Sequence, residues 1–123
     1  MHEKEYTWSK IAEHINELEF ADNNIAVAKL DDRKICIAKF NEQLFAFAYN
    51  CPHASGILAD GYIDPLGNIV CPVHRYSYSM INGRNTSGEG FYLRHWPVVL
   101  LLLLMPNLPP WFRFQEVLIR TLM

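Results

Sequence analysis

The sequence is short of cysteine, of net charge and of long apolar runs. Its three cysteines are odd in number and give no disulfide framework, and a formal net charge of −2 provides no basic excess for nucleic-acid binding. The longest apolar run, at residues 98–105, ends at Pro106, far short of the roughly 20 residues that a membrane-spanning helix needs. These absences argue against a disulfide-stapled scaffold, a nucleic-acid binder and a membrane-spanning chain.

Targeting and catalytic signatures are also missing. The amino terminus MHEKEYTWSK is charged and has no apolar core of the kind found in signal peptides or anchor helices. Cysteines without a pairing pattern fit a reducing compartment, so we expect a cytoplasmic protein. No P-loop, dinucleotide fingerprint or nucleophile–base–acid set is present, and 123 residues predict a single domain.

Charge is distributed unevenly along the chain. Residues 1–64 carry eleven acidic and six basic side chains, whereas residues 65–123 carry two and five. The first part therefore presents an acidic surface. Two interpretations are open: a solvated face, or a docking surface for a basic partner, where charge would mainly raise the association rate.

Short β-favouring runs separated by turn residues dominate the first half. NIAVAKL, KICIAKF and LFAFAYN are separated by DDR and NEQ, which predicts a β-meander. Alternation along the second run puts Ile35 and Ile37 on one face and Cys36, Ala38 and Phe40 on the other, so we expect Cys36 to be an ordinary buried strand residue.

Three local features accompany the meander. The segment IAEHINELEF, residues 11–20, is expected to form a turn or two of helix with His14 at the surface. The pair Asn82-Gly83 is a strong signal for a hairpin turn. We expect His95 to be a surface residue at the start of a strand.

Two loops in the middle of the chain each carry a pair of soft metal ligands. Cys51-x-His53 is followed, after 17 intervening residues, by Cys71-x-x-His74. The intervening stretch is rich in Pro, Gly, Asp and Asn, as loops are. A two-iron, two-sulfide cluster needs two terminal ligands per iron, and loops approaching from opposite sides would offer both cysteines to one iron and both histidines to the other.

This ligand set has a consequence for redox chemistry. Neutral imidazoles in place of two thiolates leave a cluster less negative, so adding an electron costs less and the reduction potential rises. Known clusters with this ligand set have potentials of roughly −150 to +300 mV, against about −400 mV for plant-type ferredoxins. Zinc accepts the same Cys₂His₂ set and is the leading alternative. Against zinc, the Cys-x-His pair is shorter than the usual zinc knuckle, and no finger helix follows.

The motifs CPH and CPVH at this separation resemble the Rieske iron–sulfur family. More narrowly, the run from YTWSKIA through FAYNCPH to GEGFYLRHWPV is similar to stand-alone Rieske ferredoxins, over about residues 1–97. The resemblance implies an all-β fold, an antiparallel β-sandwich or barrel base capped by a cluster-binding subdomain at about residues 50–79. It also implies one [2Fe–2S] cluster per chain, with the histidines at an exposed tip and four ligands: Cys51, His53, Cys71 and His74.

The function implied by the resemblance is electron transfer rather than catalysis. Such a carrier passes single electrons from a reductase to a terminal oxygenase or a related enzyme. An oxygenase catalytic subunit would also need a mononuclear iron held by two histidines and a carboxylate. Only His2, His14 and His95 remain for that role. The small Rieske-like subunit of an assimilatory nitrite reductase is the other alternative, although members of that branch commonly lack the cluster ligands.

The surroundings of the expected cluster depart from the high-potential members of the family. Those proteins have a disulfide between the two loops, whereas this sequence has Ser55-Gly56-Ile57 in the first loop and Val73 in the second. They also place a serine two residues after the second histidine, which donates a hydrogen bond to a sulfide, and a tyrosine four residues after it, which donates to a cysteine sulfur. This chain has Tyr76 and Tyr78 at these positions, so the resemblance implies that the serine donor is lost and that Tyr78 donates to a cysteine sulfur. Fewer hydrogen bonds to sulfur predict a potential toward the lower end of the Rieske range.

Several apolar residues are assigned to the core. We expect Tyr6, Trp8 and Trp96 in the core of the base. Ile57 and Leu58 fit either a shield for the cluster or ordinary core. Pro52 and Pro72 stiffen the loops directly after the cysteines.

The last 26 residues, 98–123, do not follow the family pattern. They contain a leucine run and three prolines but no tight turn of the Asn-Gly kind. Residues 111–117 are able to pair with residues 98–105, completing the base sheet, and a shifted reading frame would also produce such a tail. A strand of continuous leucines predicts an uncovered apolar surface and self-association.

Overall fold

A computed structural model describes residues 6–53, 56–88, 90–103 and 114–122, with the backbone alone described at 6, 100–103, 114, 115 and 122. Within these ranges the fold is all-β, as expected from the sequence, and its helices are two single 3-10 turns. No helix in the described ranges has the length and apolar character needed to cross a membrane. The strands are β1 (Tyr6–Ala12), β2 (Ile25–Leu30), β3 (Arg33–Phe40), β4 (Gln43–Ala48), β5 (Tyr62–Ile63), β6 (Asn68–Val70), β7 (Ser77–Ser79), β8 (His95–Trp96), β9 (Val98–Leu103) and β10 (Phe114–Leu122).

The strands form three antiparallel sheets. The predicted meander is present as β2, β3 and β4, and β8 extends it in the order β2-β3-β4-β8. The first strand pairs with the last in a second sheet of order β1-β10-β9. A small third sheet, β5-β6-β7, follows the first ligand loop and holds the second.

Strand β3 separates two hydrophobic cores. Ile35 and Ile37 are fully buried in a core shared with the β1-β10-β9 sheet, where Val117 and Ile119 pack. Cys36 and Ala38, on the opposite face, belong to a second core. The predicted alternation is therefore confirmed, and both faces of the strand are covered.

Cys36 is buried, as predicted. Its pKa is raised to about 12, first because burial disfavours the thiolate and then because the Asp60 carboxylate lies nearby. A thiol held in this protonated state is a packing residue, since the thiolate is the form that binds metals.

The third sheet is attached to the meander by hydrogen bonds and packing. The side-chain amide of Asn23 donates to the carbonyl oxygens of Ala59 and Gly61, at 2.8 and 2.9 Å. Leu58 is fully buried in the second core, which also contains both loop cysteines. Hydrogen bonds from Asn23 and packing in the second core thus fix the ligand loops against the meander.

The expected helix at residues 11–20 is wrong in extent. Ile11 and Ala12 belong to β1, which pairs with β10, and a single 3-10 turn covers Ile15–Glu17. His14, half-buried rather than fully at the surface, caps that turn because its Nδ1 accepts the backbone N–H of Asn16 at 3.0 Å. Sheet pairing across the whole chain therefore overrides the weak local helix preference.

The aromatic residues of the base are divided between core and surface. Trp96 is buried, as expected, but the prediction for Trp8 is wrong because its side chain is 46% exposed. Trp8 lies opposite Arg120 in the β1–β10 register, and Arg120 is exposed. Cross-strand partners share a face, so Trp8 is on the outer face of this sheet. The side chain of Tyr6 lies outside the described residues.

The other local predictions have clear outcomes. Asn82 and Gly83 lie in a turn after β7, where Gly83 has a φ of 75° and its N–H donates to the Ser79 carbonyl at 2.8 Å. The hairpin-turn prediction is confirmed. His95 is exposed at the start of β8, as expected.

The carboxyl-terminal strands lie in the base. Strand β9 pairs with β10 in a register that runs from Phe114 opposite Leu103 to Ile119 opposite Val98. Leu101 is registered opposite Glu116. The connection that the sequence suggests, residues 106–110, lies outside the described residues, and a domain boundary after residue 97 stays a prediction.

Candidate metal centre

Two loops with matched backbone hydrogen bonds carry the four candidate ligands. The first follows β4 and the second connects β6 to β7. In each loop the cysteine N–H donates to the carbonyl oxygen five residues later: Cys51 to Gly56 and Cys71 to Tyr76, both at 2.8 Å. The same ring closure therefore shapes both loops, although one contains Cys-x-His and the other Cys-x-x-His.

The two cysteines lie on the inner side of the loops. Cys51 is 5% exposed and Cys71 is fully buried, and the two belong to one core. Burial raises the pKa of the Cys71 thiol and hydrogen bonding with Cys51 raises it further, whereas the backbone N–H groups of Val73 and His74 act in the opposite direction. The two sulfurs are close enough to interact, so they form one pair of soft donors.

The two histidines form a second pair on the outer side. Both are exposed, and their ring centroids are 5.7 Å apart with planes at 87°. They line an open cavity of about 530 Å³ with Arg75, Tyr76 and Ser87. We call these five residues the histidine tip. The arrangement therefore has two sulfurs inside and two imidazoles outside.

Tyr78 contacts the inner pair. Its Oη lies 3.3 Å from Cys51 Sγ, and its side chain is fully buried. Burial raises the pKa of the Tyr78 hydroxyl, and its hydrogen bond with Cys51 raises it further, so the hydroxyl keeps its proton. A protonated phenol beside a thiolate is a hydrogen-bond donor to that sulfur.

Tyr76 contacts the outer pair instead. Its ring stacks on the His53 imidazole, with centroids 4.0 Å apart and planes at 30°, and it meets His74 edge-on at 6.5 Å. The phenol ring of Tyr76 therefore packs against both histidines. The shorter serine that high-potential members of the family have at this position would leave that space empty.

The two loops come close together at Gly56. A Cβ placed on Gly56 would lie 2.7 Å from Cys71 Sγ and 2.7 Å from a methyl carbon of Val73, distances that real Cβ contacts do not reach. Only a residue without a side chain fits at this crossing. The donor set and this close crossing fit a small cluster held between the loops.

The described residues also bear on a single-ion site. Among them, no group of three or more His, Cys, Asp or Glu side chains converges on one point. What the structure brings together is two pairs, which is the arrangement that a two-iron cluster uses.

Two contacts at the histidine tip were not anticipated from the sequence. They are the stacking of Tyr76 on His53 and the edge-on contact of the Phe91 ring with His53, at 5.8 Å. Phe91 follows the segment GEG, and a large aromatic residue after glycines in a polar loop is the signal that would have pointed to it.

Comparisons with known proteins identify the family of the chain. The profile of the Rieske [2Fe–2S] domain matches residues 7–91. The ferredoxin component of the alkene monooxygenase system of Xanthobacter autotrophicus is 22% identical over 77 residues, which are 63% of this chain and 63% of that protein. This chain therefore matches less than two thirds of that relative's length.

Two solved structures have a similar fold. The ferredoxin of carbazole 1,9a-dioxygenase from Nocardioides aromaticivorans is 18% identical with a TM-score of 0.67, covering 92% of this chain and 96% of that one. A protein described as the small subunit of an NADH-dependent nitrite reductase from Mycobacterium tuberculosis is 12% identical with a TM-score of 0.68, covering 94% and 96%.

The profile match spans more than half of the sequence and includes both loops. The chain therefore belongs to the Rieske [2Fe–2S] domain family, and a [2Fe–2S] cluster is its cofactor.

Proposed function

We propose that this protein is an electron carrier whose cluster is held by Cys51, His53, Cys71 and His74. The observation that carries the proposal is the separation of the buried sulfur pair from the exposed imidazole pair on two matched loops. When bound there, the cluster takes up and releases one electron at a time.

The chain's own residues have distinct tasks in this proposal. The buried cysteines exclude water from the inner side, and Tyr78 donates a hydrogen bond to Cys51 Sγ. The exposed histidines bring the redox centre to the surface, where a partner can approach. Tyr76 and Phe91 pack against His53 and hold its ring in place.

We further propose a reductase as electron donor and a terminal oxygenase as acceptor, with all three proteins in the cytoplasm. The support is the naming of the Xanthobacter and Nocardioides relatives as ferredoxins of oxygenase systems. The second candidate, the small subunit of a nitrite reductase, is supported by the similar fold of the Mycobacterium protein. The carrier is favoured because all four ligand positions are intact in this chain, whereas small subunits of the nitrite-reductase branch commonly lack them.

Iron and acid-labile sulfide analysis of the purified protein tests the proposal. We expect two irons and two sulfides per chain and, after reduction, the anisotropic electron paramagnetic resonance spectrum of a Cys/His-ligated cluster. Zinc without labile sulfide, or an all-cysteine spectrum, would contradict it. Electron delivery from the reduced protein to a ring-hydroxylating oxygenase, compared with delivery to a nitrite reductase large subunit, separates the two candidates.

Replacement of an outer ligand gives a second test. His74→Cys adds negative charge at the tip, so we expect a lower reduction potential in any variant that still assembles a cluster. His95→Cys is the control, because His95 lies on β8 and does not line the histidine tip. Voltammetry with an unchanged potential in His74→Cys would argue against this ligand.

A further inference from the structure

Arg75, which directly follows His74, has an unfavourable backbone conformation. Its φ is 59°, in the left-handed region that favours glycine and strains most other residues. The loop imposes this angle, because the Arg75 N–H donates to the Cys71 carbonyl at 3.0 Å. Glycine would satisfy the same backbone at a lower cost, so local structure does not explain the arginine.

The other described non-glycine residues with positive φ have a local explanation. Glu42 lies with Asn41 in the two-residue turn between β3 and β4, where hairpin geometry requires positive φ at both positions. The remaining ones are asparagine or aspartate, which tolerate this region: Asn24 and Asp31. Arg75 alone among these described residues combines the strain with a position beside a candidate ligand.

Arg75 is also electrostatically distinct. It is exposed, and it is the one side chain with a permanent charge among the five that line the histidine tip. The salt bridges found among the described residues involve Lys10 with Glu13 and Glu116, not Arg75. Within the described part of the chain, therefore, its guanidinium has no carboxylate partner.

Exposed apolar side chains lie near the histidine tip, since Val73 is two residues from Arg75 in the same loop and the Phe91 ring contacts His53. Val73 is 51% exposed, Phe91 53% and Tyr92 71%. Arginine and aromatic residues are enriched at the centres of protein interfaces, where a few of them supply most of the binding energy. A guanidinium without a carboxylate partner among the described residues, together with exposed apolar side chains near the histidine tip, fits a partner surface that is apolar and carries a carboxylate.

We propose that Arg75 is the docking anchor for a carboxylate on an acidic face of the redox partner. The inference rests on the proposed function, because it takes the histidine tip as the site of electron exit. The net charge of −2 would by itself disfavour an acidic partner. Near contact, however, the local charge decides the sign of the interaction, since more distant charges are screened.

The sign of the charge at the tip can be measured with small oxidants. The reduced protein gives one electron either to hexacyanoferrate(III), an anion, or to tris(phenanthroline)cobalt(III), a cation, in a stopped-flow instrument at low ionic strength. Arg75→Gly removes the charge and relieves the backbone strain, so it should fold at least as stably as the wild type. Arg75→Lys keeps the charge, and Arg33→Gln removes an exposed arginine that does not line the histidine tip.

We expect Arg75→Gly to slow the reaction with the anion by about threefold to tenfold and to accelerate that with the cation, both effects shrinking as salt is added. Arg75→Lys and Arg33→Gln should stay within about twofold of the wild type. Unchanged rates in Arg75→Gly, or equal changes with both oxidants, would overturn the docking role alone. A wild-type protein without a cluster spectrum would overturn the proposed function and this inference together.

Discussion

In the two ligand loops, backbone hydrogen bonds connect residues five positions apart, whereas in the sheet β1-β10-β9 they connect opposite ends of the sequence. Cys51 bonds to Gly56 and Cys71 to Tyr76, but β1 pairs with β10. Closing a long segment of chain costs more entropy than closing a short one. The loops are thus defined by local sequence, and the base sheet depends on the rest of the fold.

The two regions also differ in how apolar residues meet solvent. In the loops the sulfurs are buried and the exposed groups are histidine, arginine and aromatic side chains. The outer face of the base sheet has Trp8 and Val99 substantially exposed. Strand β9 is an edge of that sheet in the described residues. A substitution on the exposed surface of one region should therefore leave the contacts of the other region in place.

The largest expected effect comes from removing a buried sulfur. Cys71→Ala should abolish the cluster, with loss of visible absorption and of labile sulfide, because one inner ligand is gone. Cys36→Ala is the matched control: it removes an equally buried thiol outside the loops, and we expect full cluster content with a loss of about 1 kcal/mol of stability. Equal cluster loss in both variants would contradict the assignment of Cys71.

The next effect concerns the base sheet. Replacing Leu101 and Leu103 together by Thr should reduce self-association and improve solubility, because an apolar edge strand promotes intermolecular pairing. The visible spectrum of the cluster should not change. Sedimentation velocity over a range of concentrations measures the effect, and a wild-type chain that is monomeric at high concentration would contradict the expectation.

A smaller effect is expected at the sulfur of Cys51. Tyr78→Phe removes the hydroxyl 3.3 Å from that sulfur, and the loss of a hydrogen bond should lower the reduction potential. Tyr62→Phe is the control, since Tyr62 is exposed on β5. Voltammetry should also place the wild type toward the lower end of the Rieske range. A potential near the upper end of that range, or no shift in Tyr78→Phe, would refute this account.

The smallest effect concerns the turn between β5 and β6. Burial tends to raise the pKa of Asp64, but hydrogen bonds from Asn68 and from the backbone of Leu66 outweigh it and lower the pKa overall. The ionised carboxylate therefore stabilises the fold above about pH 4, and this contribution is lost as pH falls through the lowered pKa.

Asp64→Asn should accordingly cost about 0.5–1 kcal/mol near neutral pH, and the difference from the wild type should shrink in acid. Urea unfolding at neutral pH and at acidic pH measures this difference in the free energy of unfolding. Asp32→Asn, in the exposed turn between β2 and β3, serves as control. A difference that grows in acid would show that the sign is wrong.

The sequence was sufficient for features that depend on neighbouring residues. Alternation along residues 33–40 predicted which side chains of β3 share a face, and the spacing of the Cys/His pairs led to the family. Tyr78 was expected to donate to a cysteine sulfur, and the structure identifies Cys51 as the partner.

The failures concern contacts between distant segments. Trp8 was assigned to the core because it is large and apolar, but its face is set by pairing with Arg120 at the other end of the chain. The local sequence favours a helix at Ile11 and Ala12, because nothing near them in the chain reveals that β10 is their partner strand. The stacking of Tyr76 on His53 joins two loops and has no signature in either one.

Strand β3 has a consequence for how the protein comes apart. Its alternate side chains belong to two different cores, one with Val117 and Ile119 and one with both loop cysteines. Because a single backbone is shared, neither core can lose its packing while the other stays intact. Heating should therefore produce one cooperative transition, in which cluster absorbance and far-ultraviolet circular dichroism change at the same temperature.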